Sequence, residues 1–95
     1  MIEMAAEIGT VYVGNKPTSS YVLAAVTQFT SGSKKVVLKA RGRAISRAVD
    51  AAELIKRFLG GKVEIGKISI GSERVGEAGK ERQVSTIEIE LIRTE

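Results

Sequence analysis

The chain has 95 residues with no cysteine and no histidine, and its fifteen Lys and Arg against eleven Asp and Glu give a net charge of +4. That length makes one domain, residues 1–95, able to bury a single core, while the missing Cys and His exclude a disulfide framework, a thiol nucleophile, a histidine-based triad and a zinc site. No stretch approaches the ~18 apolar residues that cross a bilayer, and Met1 to Glu7 lacks the basic and apolar segments of a signal peptide, so a soluble, cytoplasmic protein is expected.

Met1 to Glu7 reads as a disordered lead-in. Thr10-Val11-Tyr12-Val13 is a first strand, closed by the turn pair Gly14-Asn15. Lys16-Pro17 then starts a helix, because the missing N–H of proline costs nothing at the first helical position. Tyr21, Val22, Ala25, Val26 and Phe29 form its apolar stripe, and Gly32 suits the place just past its end. Tyr21 and Phe29 are read as packing residues and not as platforms for stacked bases.

A second strand, Lys35 to Lys39, leads into Lys39-Ala40-Arg41-Gly42-Arg43-Ala44-Ile45-Ser46-Arg47, where four cations fall within nine residues. Ala44 to Leu59 repeats apolar residues at Ile45, Ala48/Val49, Ala52, Ile55 and Leu59, the spacing of a helix. The run is therefore a strand-to-helix turn, in which Gly42 lets the backbone pass without Cβ interference. The first N–H groups of a helix lack intrahelical partners and sit at the positive end of its dipole, which attracts anions. Lys39, Arg41, Arg43 and Arg47 add full charges around that end. Arg43 and Arg47 are four apart and repel by a few tenths of a kcal/mol, a cost with little purpose in a purely structural helix. Glu53 and Arg57 form a supporting i,i+4 pair further along, and Gly60-Gly61 ends the helix.

Two long strands follow. Val63 and Ile65 keep odd parity, then Ile68 and Ile70 switch to even, so a bulge is expected near Gly66-Lys67. The last strand points Ile87, Ile89 and Leu91 inward and Thr86, Glu88 and Glu90 outward. Between them, residues 71–83 are polar and rich in glycine, an extended hairpin arm whose Arg74, Lys80 and Arg82 could enter a groove. The order is β-α-β-α-β-β. It predicts an α+β two-layer sandwich, a mixed four-stranded sheet with two helices on one face. Two short helices cannot cover all of its apolar strands and edges, and two-fold pairing into a homodimer is the commonest remedy.

Charge is unevenly spread. From Ile8 through Val49 there is no acidic residue against seven cations, and the rest of the chain is net acidic. A strongly positive surface of this kind suits phosphate backbones. Neither helix has the bulky apolar edge that membrane binding wants. No cofactor, metal or small-molecule substrate is implied: Glu88 and Glu90 belong to a solvated outer face or an intersubunit ion pair, and residues 71–79 precede no phosphate-cradling Gly-Lys-Ser/Thr. The chain is not read as an enzyme.

Gly14-Asn15-Lys16-Pro17, Tyr21-Val22-Leu23-Ala24, the block from Lys39 to Asp50, and Val84-Ser85-Thr86-Ile87-Glu88-Ile89 together resemble the Alba family, archaeal chromatin proteins that coat duplex DNA and also bind RNA. The resemblance runs from about Val11 to Ile92. It implies a fold like the C-terminal domain of translation initiation factor three, a homodimer, and hairpin arms that enter the minor groove beside a basic body. Lys16, Arg41 and Arg43 match nucleic-acid-binding positions of the family, and Phe58 matches an aromatic implicated in contacts between neighbouring dimers on DNA. Many members carry two lysines before the proline, the first of which is acetylated to weaken DNA binding. Asn15 stands in that place here, which leaves Lys16 as the modification candidate. The second helix is one residue shorter than in relatives, which turns Phe58 by about 100°. The expected function is a sequence-tolerant, chromosome-associated coat that condenses double-stranded DNA and also binds RNA; the alternative is an RNA-binding subunit of a ribonucleoprotein of the ribonuclease P type. Aromatic residues are only 4 % of the chain, without tryptophan, and so few stacking platforms favour duplex backbones over single strands.

Overall fold

A computed structural model describes residues 7–95. Of the predicted lead-in, residues 1–6 lie outside the described ones, and Glu7 is held in place: its carbonyl accepts from the N–H of Lys34 at 2.9 Å and of Lys35 at 3.3 Å. The elements are β1 (Ile8–Tyr12), α1 (Thr18–Thr30), β2 (Lys35–Arg41), a 3-10 turn (Gly42–Ala44), α2 (Ile45–Phe58), β3 (Val63–Val75) and β4 (Arg82–Arg93). The sheet order is β1-β2-β4-β3, with β1 parallel to β2 and the other two pairings antiparallel. This is the α+β sandwich expected from the order of elements.

Strand parity fixes the layers. Val11 and Val13 of β1's end, Val36, Leu38 and Ala40 of β2, and Ile87, Ile89 and Leu91 of β4 share one face. They form a single buried cluster with Tyr21, Ala25 and Phe29 of α1 and Ala48, Ala51, Ala52 and Ile55 of α2. Both helices therefore cover that face. Small alanines on α2 let it sit close to the sheet, and Val49, expected inside, is exposed while Ala51 is buried in its stead. The helix pattern was read one step off at a single turn, because Val49 lies on the flank that α2 turns toward β3. The Lys56–Glu64 ion pair at 3.8 Å marks the same flank, since Lys56 follows Val49 by two turns.

Each boundary has a local cause. Pro17 falls one place before the first helical residue, where its extended ψ of 148° suits a cap and its carbonyl accepts the N–H of Ser20 at 2.9 Å. At the other end of α1, Gly32 takes φ 113°. Its N–H reaches Phe29 O at 3.1 Å and the N–H of Ser33 reaches Gln28 O at 3.0 Å, the paired bonds of a Schellman ending. The β3–β4 register shifts between Ile65 and Ile68, which places the bulge at Gly66-Lys67 as expected. Residues 71–83 do form an arm, but most of it is ladder: β3 and β4 stay paired out to Val75 and Arg82, leaving only residues 76–81 as the turn.

Ile68 and Ile70 lie on the helix side of the sheet, and, as expected of strands too long for two short helices to cover, both are exposed, Ile70 to 84 %. Two expectations need correction. Glu88 and Glu90 pair within the chain, with Lys39 at 3.6 Å and Lys35 at 3.5 Å. Glu53 and Arg57 form no ion pair among the described residues. Their separation permits a contact, but two exposed side chains gain too little from it to be held there.

The core makes a direct prediction. Ile55 is fully buried between the helices and the sheet, whereas Leu23 on α1 is largely exposed. Ile55→Ala should cost about 2–5 kcal/mol in denaturant unfolding, from lost transfer energy and a residual cavity. Leu23→Ala should cost less than about 1 kcal/mol.

Candidate nucleic-acid interface

Because β1 and β2 run parallel, their outgoing turns leave the sheet at the same end. Residues 13–17 leave β1 there, and the 3-10 turn Gly42–Ala44 leaves β2 there. The antiparallel register opposes Arg41, the last residue of β2, to Thr86 of β4, which in turn opposes Gly71 of β3. Beyond that level only β3 and β4 continue. Four further pairs at ~3.4 Å each carry the arm roughly 13 Å past the body before the turn begins. Lys16, the basic turn and the arm thus share one end of the molecule.

Two side chains tie this end together. Tyr21 is buried in α1, and its hydroxyl oxygen accepts from the backbone N–H of Gly14 at 2.8 Å and of Lys16 at 2.9 Å. Arg47, in the first turn of α2, donates from Nη1 to the carbonyl oxygen of Gly14 at 2.6 Å. The loop carrying Lys16 is therefore clamped to both helices.

The nine expected nucleic-acid-binding residues fall into distinct positions. Gly42 takes φ 57° with nothing within 4 Å of where a Cβ would stand, so backbone geometry and not crowding is what favours glycine there. Arg43 is exposed in the 3-10 turn just ahead of α2, and neither it nor Lys16 makes an ion pair among the described residues. Lys39 and Arg41 lie on the opposite, open face of the sheet. Lys39 pairs with Glu88, and the guanidinium of Arg41 donates to the carboxylate of Glu73 on the arm. Arg41, Gly42, Lys80 and Arg82 line one open groove of about 470 Å3 between the basic turn and the arm. Arg74 is out of phase with Glu73 and Val75 and so stands on the arm's other face. Arg47 serves the loop clamp. Phe58 lies at the far end of α2, 72 % exposed.

Sequence reasoning missed the Tyr21 hydroxyl and the carboxylates of Glu73 and Glu88. A tyrosine on the buried stripe of a helix, four residues after a turn-and-proline segment, did offer a signal, since a buried phenol seeks a polar partner. The Arg41–Glu73 pair spans three strands and had no signal short of the full register.

An Alba family model matches residues 9–72. The chain is 55% identical over 86 residues to the "DNA/RNA-binding protein Alba" of Nanoarchaeum equitans, covering 87% of this chain and 96% of that one. It is 53% identical over 88 residues to the protein of the same name from Methanocella arvoryzae, covering 92% of each. The structure of Alba from Thermoplasma volcanium superposes with a TM-score of 0.84 at 40% identity, over 90% of this chain and all of that one. With an α+β sandwich that gathers two basic turns and a hairpin arm at one end, and with relatives this similar over nearly the whole length, the chain belongs to the Alba family.

The clamp predicts a separable effect. Tyr21→Phe keeps the ring in the core but removes the acceptor of two backbone N–H groups, which should cost about 1–2 kcal/mol. Hydrogen exchange at the Gly14 and Lys16 amides should speed up well beyond that of the β2 amides; equal change throughout would mean the hydroxyl supports global stability only.

Proposed function

We propose that this chain binds double-stranded DNA with little regard for sequence, coats and compacts it as a chromosome-associated protein of the cytoplasm, and also binds RNA. The carrying observation is the convergence of Lys16, Arg41, Gly42, Arg43, Lys80 and Arg82 at one end of the molecule. Relatives named as DNA/RNA-binding proteins support the same reading. Side chains of this kind hold phosphates, which position a protein on a duplex without reading bases. Duplexes suit the surface better than single strands, since Tyr21 and Phe29, half of the aromatic residues, are buried. Lys16, exposed on its clamped loop, is the proposed modification site; losing its charge would weaken phosphate binding.

The protein is proposed to act as a homodimer. Val49, Ile68 and Ile70 are exposed apolar side chains along the seam between α2 and β3. A second copy related by a two-fold axis would cover them and repeat the basic end. Phe58 is the proposed contact between neighbouring dimers. Sedimentation should give twice the chain mass at micromolar concentration, and Ile70→Glu should halve it; a stable wild-type monomer would contradict the dimer.

The binding reading is tested by charge reversal at either end of α2, since Arg43, expected in its first turn, stands in the 3-10 turn just ahead of it because the helix begins only at Ile45. Log affinity for a duplex should fall against log salt with a slope of about −4 to −7 for a dimer using several of these cations. Arg43→Glu should weaken binding by about 1–3 kcal/mol and flatten the slope by about one unit. Arg57→Glu, in the last turn of α2, should leave the slope nearly unchanged. Equal losses in two normally melting variants would place the anion site elsewhere. Competition between matched DNA and RNA duplexes at one salt concentration decides which is preferred.

A further inference from the structure

We propose that Glu73 is an intramolecular competitor for the phosphate that Arg41 takes up, and so sets how tightly this protein holds its polyanion. The inference rests on the nucleic-acid reading above. Arg41 ends β2, and Glu73 stands on β3, two residues out along the arm from the Gly71 that shares Arg41's level. Both project from the open face of the sheet, and the guanidinium donates to the carboxylate across the intervening β4. Among the described residues this ion pair bridges the basic turn and the arm. Lys35–Glu90 and Lys39–Glu88 join adjacent strands within the body, and Lys56–Glu64 and Lys62–Glu95 sit at other places.

The pair is poorly suited to holding the fold. The Arg41 side chain is 64% exposed and that of Glu73 46%, and ion pairs so open to water add little stability. The same exposure leaves the guanidinium within reach of a ligand. Arg41 also lines the groove that holds Lys80 and Arg82, where a phosphate chain would run. Carboxylate and phosphate both accept the paired N–H donors of a guanidinium, so one can replace the other on the same fork. When a phosphate takes Arg41, the Glu73 carboxylate is left unpaired, facing a polyanion at the base of the arm. Its repulsion opposes binding. The counter-cation it recruits offsets one released from the duplex, which makes the salt dependence shallower than Arg41 alone would give.

Glu73→Gln removes this competition while keeping shape and a hydrogen-bonding group. Glu95→Gln is the matched control: it also removes one negative charge and releases one cation, Lys62, but at the opposite end of the sheet from the arm. Each variant and the wild type are titrated with one 20-base-pair duplex across a salt series, with thermal melting in parallel. Glu73→Gln should bind about three- to tenfold tighter at low salt, with a slope steeper by up to about 0.9. Glu95→Gln should stay within about twofold of wild type. Arg41→Ala should lose more affinity in the Glu73→Gln background than in the wild type. A Glu73→Gln variant that matches Glu95→Gln overturns the proposal. So does one that binds more weakly at an unchanged slope, the signature of a residue that merely orients the arm. If the wild type itself shows no salt-dependent binding, the nucleic-acid reading falls first, so the two failures are told apart.

Discussion

The parallel pairing of β1 with β2 is the constraint on which this molecule depends. Parallel neighbours must send both of their exits to the same end of the sheet. In this chain those exits are Gly14-Asn15-Lys16-Pro17 and Gly42-Arg43-Ala44. Antiparallel pairing would have put Lys16 and Arg43 at opposite ends. The pairing is secured locally where it matters: the N–H of Val13 reaches the Lys39 carbonyl at 2.8 Å, just where the strands part. The Tyr21 hydroxyl and the Arg47 guanidinium then fix the first exit against both helices.

Gathering cations has an electrostatic cost, and the structure distributes it. Helical spacing would set Arg43 beside Arg47, but Arg43 stands in the 3-10 turn ahead of α2, and Arg47 directs its charge to the Gly14 carbonyl, a partial negative charge. Lys35, Lys39 and Arg41 alternate along the open face of β2, each beside a carboxylate from another strand. Cross-strand pairs of opposite charge contribute a few tenths of a kcal/mol each. The open face is thus close to neutral in the unbound protein. Lys16, Arg43, Lys80 and Arg82 project at the end and along the arm with no ion pair among the described residues.

Much of this was legible from residue order. Parity along β3 and β4 located the bulge at Gly66-Lys67, and the glycines at 32, 42 and 60 marked turns that do take positive φ. The basic turn stood out as charge around a glycine between a strand and a helix. What periodicity could not supply was coverage. Ile68 and Ile70 alternate like core residues, but whether a helix reaches them depends on where α2 lies across the sheet, which no local pattern encodes. The partners of Arg41 and Arg47 were hidden for the same reason, since Glu73 and Gly14 are 32 and 33 residues away in the chain. Glu53 and Arg57 show the opposite failure. Helical spacing made a pair possible, and solvent made it too weak to form.

The central claim is that one end of the molecule, built from the two exits and the arm, meets the nucleic acid. Amide chemical-shift mapping tests it most directly, with the protein observed while a short duplex is added at low salt. The largest changes should fall at Asn15, Lys16, Arg41, Gly42, Arg43 and along residues 72–83. Gly60, Gly61, Lys62 and Thr94 at the other end should stay within the scatter of the unbound spectrum. Changes centred on those residues, or on the outer face of α1 around Leu23 and Thr27, would contradict the account.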